Sequence, residues 1–303
     1  IFVIIYFIKY FYDFNPSTYQ APITMSAAAS QRDHLHSISA SLTFLVDTGE
    51  KPAIYPSEGG GRREKRTGQS IDCNVTIENG WAQAGGFSLN MQGFQLMPHT
   101  SQVQNFYSPK EVEEIYNREL EDLLKSITGA SRVVIFDHTL RADSKSVREK
   151  RKTREPSETV HNDYTEVSAI QRVRDLFPSG EAQRLLSKRF AIINVWRPIN
   201  GPVETAPLTV CDAQSLSPKD LIATERRGRD RIGETYRIAY NPKQRWLYFP
   251  GMRSEEVLLI KCWDSDENIG ARFSAHTSFQ DPRSPVHAKP RESIESRAFA
   301  FFA

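Results

Sequence analysis

The chain has 303 residues, enough for one large core, with 39% hydrophobic and 25% charged residues and a formal net charge of +2. So even a balance gives no global argument for nucleic acid or a membrane as partner, and neither is expected. Three cysteines, Cys73, Cys211 and Cys262, are odd in number, far apart and without CxxC spacing, which argues for reduced thiols in a cytoplasmic protein rather than a disulfide framework or a cysteine zinc site.

Residues 1–11 are apolar and aromatic, yet too short to span a bilayer, without a basic leader and without a small-residue cleavage site after them. Met25 followed by Ser-Ala-Ala-Ala-Ser reads as a start, so residues 1–24 are expected to be an upstream or non-native extension; a hydrophobic anchor is the competing reading. Alternation over 39–55 predicts an early strand and a turn, and 57–68, with its Gly-Gly-Gly run among charges, a loop. Short strands are expected at 72–78 and 87–97. The clearest helix follows, with Ser108-Pro109-Lys110-Glu111 supplying an N-cap, a first-turn proline and a capping-box glutamate. Val112, Ile115, Tyr116, Leu120, Leu123, Leu124 and Ile127 form its apolar stripe, and Gly129 its stop.

Residues 132–138 read as a buried strand. The basic run 141–156 has no interleaved aromatics and reads as a solvated loop rather than a nucleic-acid site. Helices are expected around 169–177, ended by Pro178, and at 182–186. From Phe190 on the pattern is of strands: 190–196, 208–211, 235–240, 245–249, 256–263, 272–279 and 293–302, with a hairpin turn at Asn241-Pro-Lys-Gln244 and a short capped helix at Ser217-Pro-Lys-Asp220. Many short strands behind a partly helical N-terminal region predict a mainly β fold with flanking helices, an antiparallel jelly roll. Residues 25–130 are expected to supply N-terminal strands and a helix packing on the core, and 131–303 the jelly roll that carries the site.

Within this pattern, residues two apart on a strand share a face, so His161 and Asp163 present an imidazole and a carboxylate to one point. Alone the pair is weak: with 7 histidines and 37 acidic residues, roughly one His-x-Asp/Glu arises by chance. Its context is His276, late in the β-rich half, since early and late strands of a rolled sheet become neighbours. For His276 a core histidine satisfied by a backbone carbonyl is the competing reading. Two histidines and one carboxylate on one face of a metal leave positions open for a co-substrate and O2, as in non-haem Fe(II) oxygenases. His34, His36, His99 and His287 are assigned to the surface, and His138 either pairs with a ligand or ends a strand. Arg291 and Ser293 share a face of the last strand, where a guanidinium and a hydroxyl suit a carboxylate; Arg297 is the runner-up, and an arginine paired with Glu292 or Glu295 the bland alternative.

The segments His161-Asn-Asp-Tyr-Thr165, Asn194-Val-Trp-Arg-Pro-Ile199, Pro207-Leu-Thr-Val-Cys-Asp212, Trp246-Leu-Tyr-Phe-Pro250, Glu256-Val-Leu-Leu-Ile-Lys261, His276-Thr-Ser-Phe-Gln-Asp-Pro282 and Pro290-Arg-Glu-Ser-Ile-Glu-Ser-Arg297 resemble the motif series of one family. It is the gibberellin desaturase-like and cephem methoxylase-like hydroxylases/desaturases, Fe(II)/2-oxoglutarate-dependent oxygenases of specialised metabolism. The resemblance runs from about residue 38 to the end, with Lys51-Pro52 and Gly93-Phe94 included. It implies a double-stranded β-helix (cupin-like), Fe(II) on His161, Asp163 and His276, and 2-oxoglutarate chelating the metal and anchored by an arginine, for which Arg291 is the best match. It further implies O2-dependent hydroxylation or desaturation of a small molecule. A metal-dependent hydrolase or isomerase and a non-catalytic small-molecule binder on the same roll are the alternatives. Trp246, Tyr248 and the 141–156 segment are candidate pocket or lid elements. The oligomeric state is open, a homodimer being one option.

Overall fold

The computed structural model describes residues 36–55, 65–229 and 231–303. The expected extension at 1–24, and most of the 57–68 loop, lie outside the described residues. β1 (Ser37–Leu45) alternates as its sequence demands, with Ile38, Ala40, Leu42 and Phe44 turned inward. β2 (Ala53–Tyr55) and β3 (Lys65–Arg66) are short, and β4 (Ser70–Asn79) runs antiparallel to β1 along its whole length. The strand expected at 87–97 is confined to β5 (Phe94–Pro98), because 88–93 are taken up by a turn. Gly93 at the end of that turn has φ +80°, and a Cβ there would lie 2.9 Å from Ser274 Cβ. Only glycine allows this backbone to pass so near the segment that leads to His276.

The helix at 109–128, α1, starts and stops where the sequence places its caps. Ser108 accepts from the Glu111 N–H, and Gly129 adopts φ 71° as the left-handed C-terminal residue. A π-helical stretch, Val112–Tyr116, lies within it. Beyond α1 come β6 (Arg132–Ala142), a short helix α2 (Lys145–Arg151), β7 (His161–Asn162), α3 (Glu166–Leu176) and α4 (Ser179–Leu186). The remaining strands are β8 (Phe190–Pro198), β9 (Leu208–Cys211), β10 (Leu221–Arg227), β11 (Ile232–Ile238), β12 (Trp246–Tyr248), β13 (Glu256–Asp264), β14 (His276–Ser278) and β15 (Glu292–Phe301).

They form two sheets. One has the order β1-β4-β12-β9-β14-β7-β11-β10-β2-β3, the other β5-β13-β8-β15-β6. Strands from residues 37–98 thus enter both sheets. The smaller sheet is buried on both faces, so β8, expected from its continuous apolar run, is buried at every position. One of its faces receives Val112, Tyr116, Leu120 and Leu124 of α1 against Ile193, Val195, Leu259 and Ala298. Burying each large side chain there is worth about 1.5–3 kcal/mol. The opposite face packs Trp196, Leu258 and Ile260 on Leu208, Val210 and Leu247 of the larger sheet. This is the jelly roll expected from the sequence.

Several local expectations are corrected. The turn at 241–244 does not close a hairpin: β11 pairs with β7 and β10, while β12 pairs with β4 and β9. The true hairpin is β10–β11, and β10 was not foreseen, its Thr-Glu-Arg-Arg end hiding the strand. The 141–156 segment is not a solvated loop, since it holds the end of β6 and α2, capped by Ser144. The strand expected at 272–279 shrinks to three residues.

Candidate metal centre

β7 is only two residues long, but its neighbours fix it. It lies between β11, where Arg237 opposes His161, and β14, where His276 opposes His161 directly. The two imidazoles, 115 residues apart in sequence, are therefore cross-strand partners with ring centroids 4.5 Å apart. Asp163 falls just beyond the strand. Asn162, pointing the other way, donates to the Tyr164 and Cys262 carbonyls at 2.7 and 2.9 Å, and the capping box of α3 closes immediately after, with Thr165 Oγ1 accepting from Ser168 N–H at 3.1 Å. The chain is pinned on both sides of Asp163, so His161 and Asp163 share one side, with Nε2 to Oδ1 at 3.6 Å.

One ligand atom from each of His161, Asp163 and His276 lies within 4.8 Å of the other two. The outer atoms of the set are committed elsewhere. His161 Nδ1 faces the Thr159 carbonyl at 2.8 Å, and the N–H it donates leaves Nε2 as the free lone pair. Asp163 Oδ2 accepts from Asn194 Nδ2 and Arg297 Nε, both at 2.8 Å, which leaves Oδ1 for the centre. His276 is 2% exposed and its Nε2 has no hydrogen-bond partner. A buried nitrogen without a partner is costly, and here it points to a ligand role. His276 Nδ1 lies 3.5 Å from the Ser274 carbonyl, as in the core-histidine reading, but its Nε2 has no partner among the described residues.

Electrostatics prepare the donors. Burial lowers His161 well below the usual imidazole range, and His276 beside it adds to this, so the ring is neutral. Burial raises Asp163, but Arg297 foremost, with the Asn194 amide donating to the carboxylate, outweighs this and holds the carboxyl well below its ordinary range. Neutral imidazoles and an ionised carboxylate are the states a divalent metal requires. The N,N,O set fits Fe(II) with positions left open.

The support of Asp163 comes from strand register. Arg297 on β15 opposes Asn194 on β8, so two donors stand side by side in front of one carboxylate oxygen. Arg297 is saturated with acids: besides Asp163 it bonds Asp137 at 2.9 Å and Glu295 at 2.5 Å. Those bonds take the guanidinium away from the co-substrate role held open for it. Asn194, a family-motif residue without an assigned role in the sequence, is thereby placed.

Arg291 and Ser293 are both buried. Arg291 lies beside a small cavity shared with His161, His276, Trp196 and Ser278. Its Nη1 donates to the Ala206 carbonyl, while Nε, like Ser293 Oγ, has no partner. Burial, followed by repulsion from Arg141, pushes this guanidinium well below the usual arginine range, to about 9. A second, larger cavity of about 210 Å³ opens on His161, Asp163 and Tyr164.

Other expectations are settled by contact. His138 bonds Ser296 Oγ at 2.8 Å and touches no ligand residue. His99 is half-buried and meets the buried Arg197, whose Nε donates to Tyr116 Oη at 3.0 Å, so Arg197 ties α1 to the sheet. Trp246 and Tyr248 belong to the core with Phe44 and Phe279 and line neither cavity described above. Arg141 and Arg154, from the 141–156 segment held as a candidate pocket element, line the larger cavity, as do Arg226 and Arg237, which the sequence reading did not single out. The available signal was an arginine inside an apolar strand, as in Tyr236-Arg237-Ile238.

Residues 42–301 match the family profile described as an oxidoreductase/YMDC permease-like domain. The hydroxylase/desaturase efuI of Hormonema carpetanum is 33% identical over 265 residues, covering 80% of this chain and 87% of that one. The Fe(II)/2-oxoglutarate-dependent dioxygenase nvfI of Aspergillus novofumigatus is 33% identical over 240 residues, 75% and 82% of the two chains. Among solved structures, the iron and alpha-ketoglutarate-dependent endoperoxidase NvfI superposes with a TM-score of 0.80 at 28% identity, over 88% of this chain and 99% of that one. With a profile matched along most of its length and relatives a third identical over three quarters or more of it, the chain belongs to this oxidoreductase family and is a non-haem Fe(II)/2-oxoglutarate-dependent dioxygenase of the hydroxylase/desaturase type.

Proposed function

We propose that His161, Asp163 and His276 hold the Fe(II), that Arg291 with Ser293 holds the distal carboxylate of 2-oxoglutarate, and that the cavity beside Tyr164 takes a small specialised metabolite for hydroxylation or desaturation. Three buried polar atoms without partners carry the reading: His276 Nε2, Arg291 Nε and Ser293 Oγ. His276 and Arg291 both line the small cavity, and a buried polar atom without a protein partner calls for an explanation such as a bound ligand. When bound, Fe(II) and 2-oxoglutarate supply the oxidising chemistry, in which O2 is consumed and 2-oxoglutarate becomes succinate and CO2.

The chain's own contribution is placement. Thr159 fixes the His161 tautomer, and Arg297 with Asn194 fixes the rotation of Asp163. Arg297 and Asn194 act through Asp163 and are positioning residues. Arg291 sits against the face of Trp196, its Cζ 5.6 Å from the ring centroid, so its fork has one orientation. Burial of Arg291 strengthens a carboxylate–guanidinium contact there by excluding water. The homologues favour this reading over a hydrolase, an isomerase or a non-catalytic binder. No helix among the described residues is long and apolar enough to cross a membrane, and the three cysteines are free thiols; we place the enzyme in the cytoplasm, where such thiols stay reduced.

The test is substrate-independent turnover of 2-oxoglutarate to succinate. His161→Ala, Asp163→Ala and His276→Ala are each expected to abolish it, and Arg291→Ala chiefly to raise the 2-oxoglutarate concentration it requires. Full iron-dependent turnover by His276→Ala would overturn the ligand assignment.

A further inference from the structure

Two arginines of the larger cavity, Arg141 and Arg154, form no ion pair with any described residue. The cavity's acids are already spoken for: Asp137 and Asp163 by Arg297, and Glu234 by Lys51 Nζ at 2.7 Å and by the Thr165 hydroxyl at 2.6 Å. Of the cations, Arg297 is saturated and Arg231 is paired with Asp175 at 3.0 Å. Arg141 donates only to the Glu155 carbonyl, at 2.8 Å. The Arg154 side chain forms no hydrogen bond or ion pair with any described residue, though it is only partly exposed. Arg226 and Arg237 line the same space.

This cluster is built into the sheet. Arg141 and Arg154 are partners in a parallel bridge, with Ala142 N–H donating to the Arg154 carbonyl at 2.9 Å and Arg154 N–H to the Leu140 carbonyl at 3.1 Å. Bridge partners project to the same side, so two guanidiniums are held together by backbone rather than by long mobile stems. Burial, and then the charges of Arg226, Arg141 and Arg297, lower Arg154 from the usual arginine range. Like charges held together in a half-dry cavity destabilise the fold unless an anion sits among them.

We propose that the substrate is an organic acid whose carboxylate is bound by Arg141 and Arg154, which orients the rest of the molecule towards His161 and Asp163. The proposal rests on the oxygenase reading of the site. Of the two arginines, Arg141 borders both cavities, whereas Arg154 does not line the one beside Arg291, so the co-substrate held there does not account for it.

The experiment uses full-length protein loaded anaerobically with Fe(II) and saturating 2-oxoglutarate, with calorimetric titration of matched probes: 1-naphthoic, 4-phenylbutanoic and cyclohexylacetic acids, each against its methyl ester. The charge-transfer band of the iron chelate is followed throughout. The acid of a pair is expected to bind about tenfold or more tighter than its ester, since a hydrogen bond to a charged partner is lost in the ester, with the band retained. R154Q should bring acid and ester to within about threefold, and R154K should keep most of the preference. Equal affinity of acid and ester, no binding by any of the acids up to about 10 mM, bleaching of the band by the acids, or an unchanged preference in folded R154Q would each overturn it. Absence of the band before any probe is added would instead refute the oxygenase reading.

Discussion

Arg291→Met separates a guanidinium kept for a ligand from one kept for the fold. In the folded protein this side chain is 2% exposed, makes one side-chain hydrogen bond to the Ala206 carbonyl, and has no ion-pair partner among the described residues. Burial and Arg141 hold it at about 9, well below the usual arginine range. A base whose folded value lies below its unfolded one destabilises the fold wherever it must be charged, so the penalty is full at neutral pH and fades only as pH rises above about 9 toward the usual arginine range. By linkage it amounts to roughly 4–5 kcal/mol. Methionine removes that penalty at similar volume, and loses the bond to Ala206, worth about 1.5–3 kcal/mol. The net expectation is a gain of about 2 kcal/mol, or about 4–8 °C in Tm for a domain of this size. Saturating 2-oxoglutarate at a hundred times its Kd should stabilise the iron-loaded wild type by about 2.7 kcal/mol and the variant hardly at all. Anaerobic calorimetry of both proteins with and without 2-oxoglutarate reads both effects. A variant less stable than wild type, yet with an undiminished response to 2-oxoglutarate, would refute the reasoning.

Asn194→Ala removes one of two donors to Asp163 Oδ2 and should weaken Fe(II) binding about tenfold, measured by competition with a chromogenic chelator. Arg297→Lys keeps the charge but loses the fork that joins Asp163, Asp137 and Glu295, and should cost up to about a hundredfold in the same assay. Tyr116→Phe takes the hydroxyl from the buried Arg197 and should lower urea stability by about 1–3 kcal/mol without changing the Kd for 2-oxoglutarate. Burial, seconded for His99 by Arg197, holds His99 and His138 below 6.5. Their folded values lie below the unfolded one, so stability is full above about pH 6.5 and falls as the unfolded histidines protonate below it. A double His99→Gln, His138→Gln variant should flatten that decline in urea titrations between pH 6.5 and 5.

Features written in local chemistry were legible in the sequence. The Ser108 cap, the stripe from Val112 to Leu124 and the Gly129 stop are all within one helix, and the structure keeps them, although the π-helical stretch left no mark in the pattern. The His161-x-Asp163 spacing survived because Asn162 is turned into the core, even though the strand ends at Asn162 itself. Strand partners were not legible: the 241–244 turn looks like a hairpin locally, whereas β11 and β12 take partners far away in sequence. Arg141 and Arg154 looked solvated because a run of like charge carries no period, and only the bridge between β6 and the segment before β7 turns them towards the cavity. The sequence favoured Arg291 over Arg297 only by its match to a motif, and the register that sets Arg297 opposite Asn194 is what separates the group proposed to brace Asp163 from the one proposed to bind a carboxylate.

The central claim is that His161, Asp163 and His276 bind one Fe(II) which also chelates 2-oxoglutarate. Anaerobic titration of Fe(II) into protein and 2-oxoglutarate, followed by the visible charge-transfer band of the chelate, tests it most directly. One equivalent of iron should saturate the band in the wild type, and His276→Ala should not develop it. Saturation at the same stoichiometry in His276→Ala, with wild-type intensity, would contradict the account.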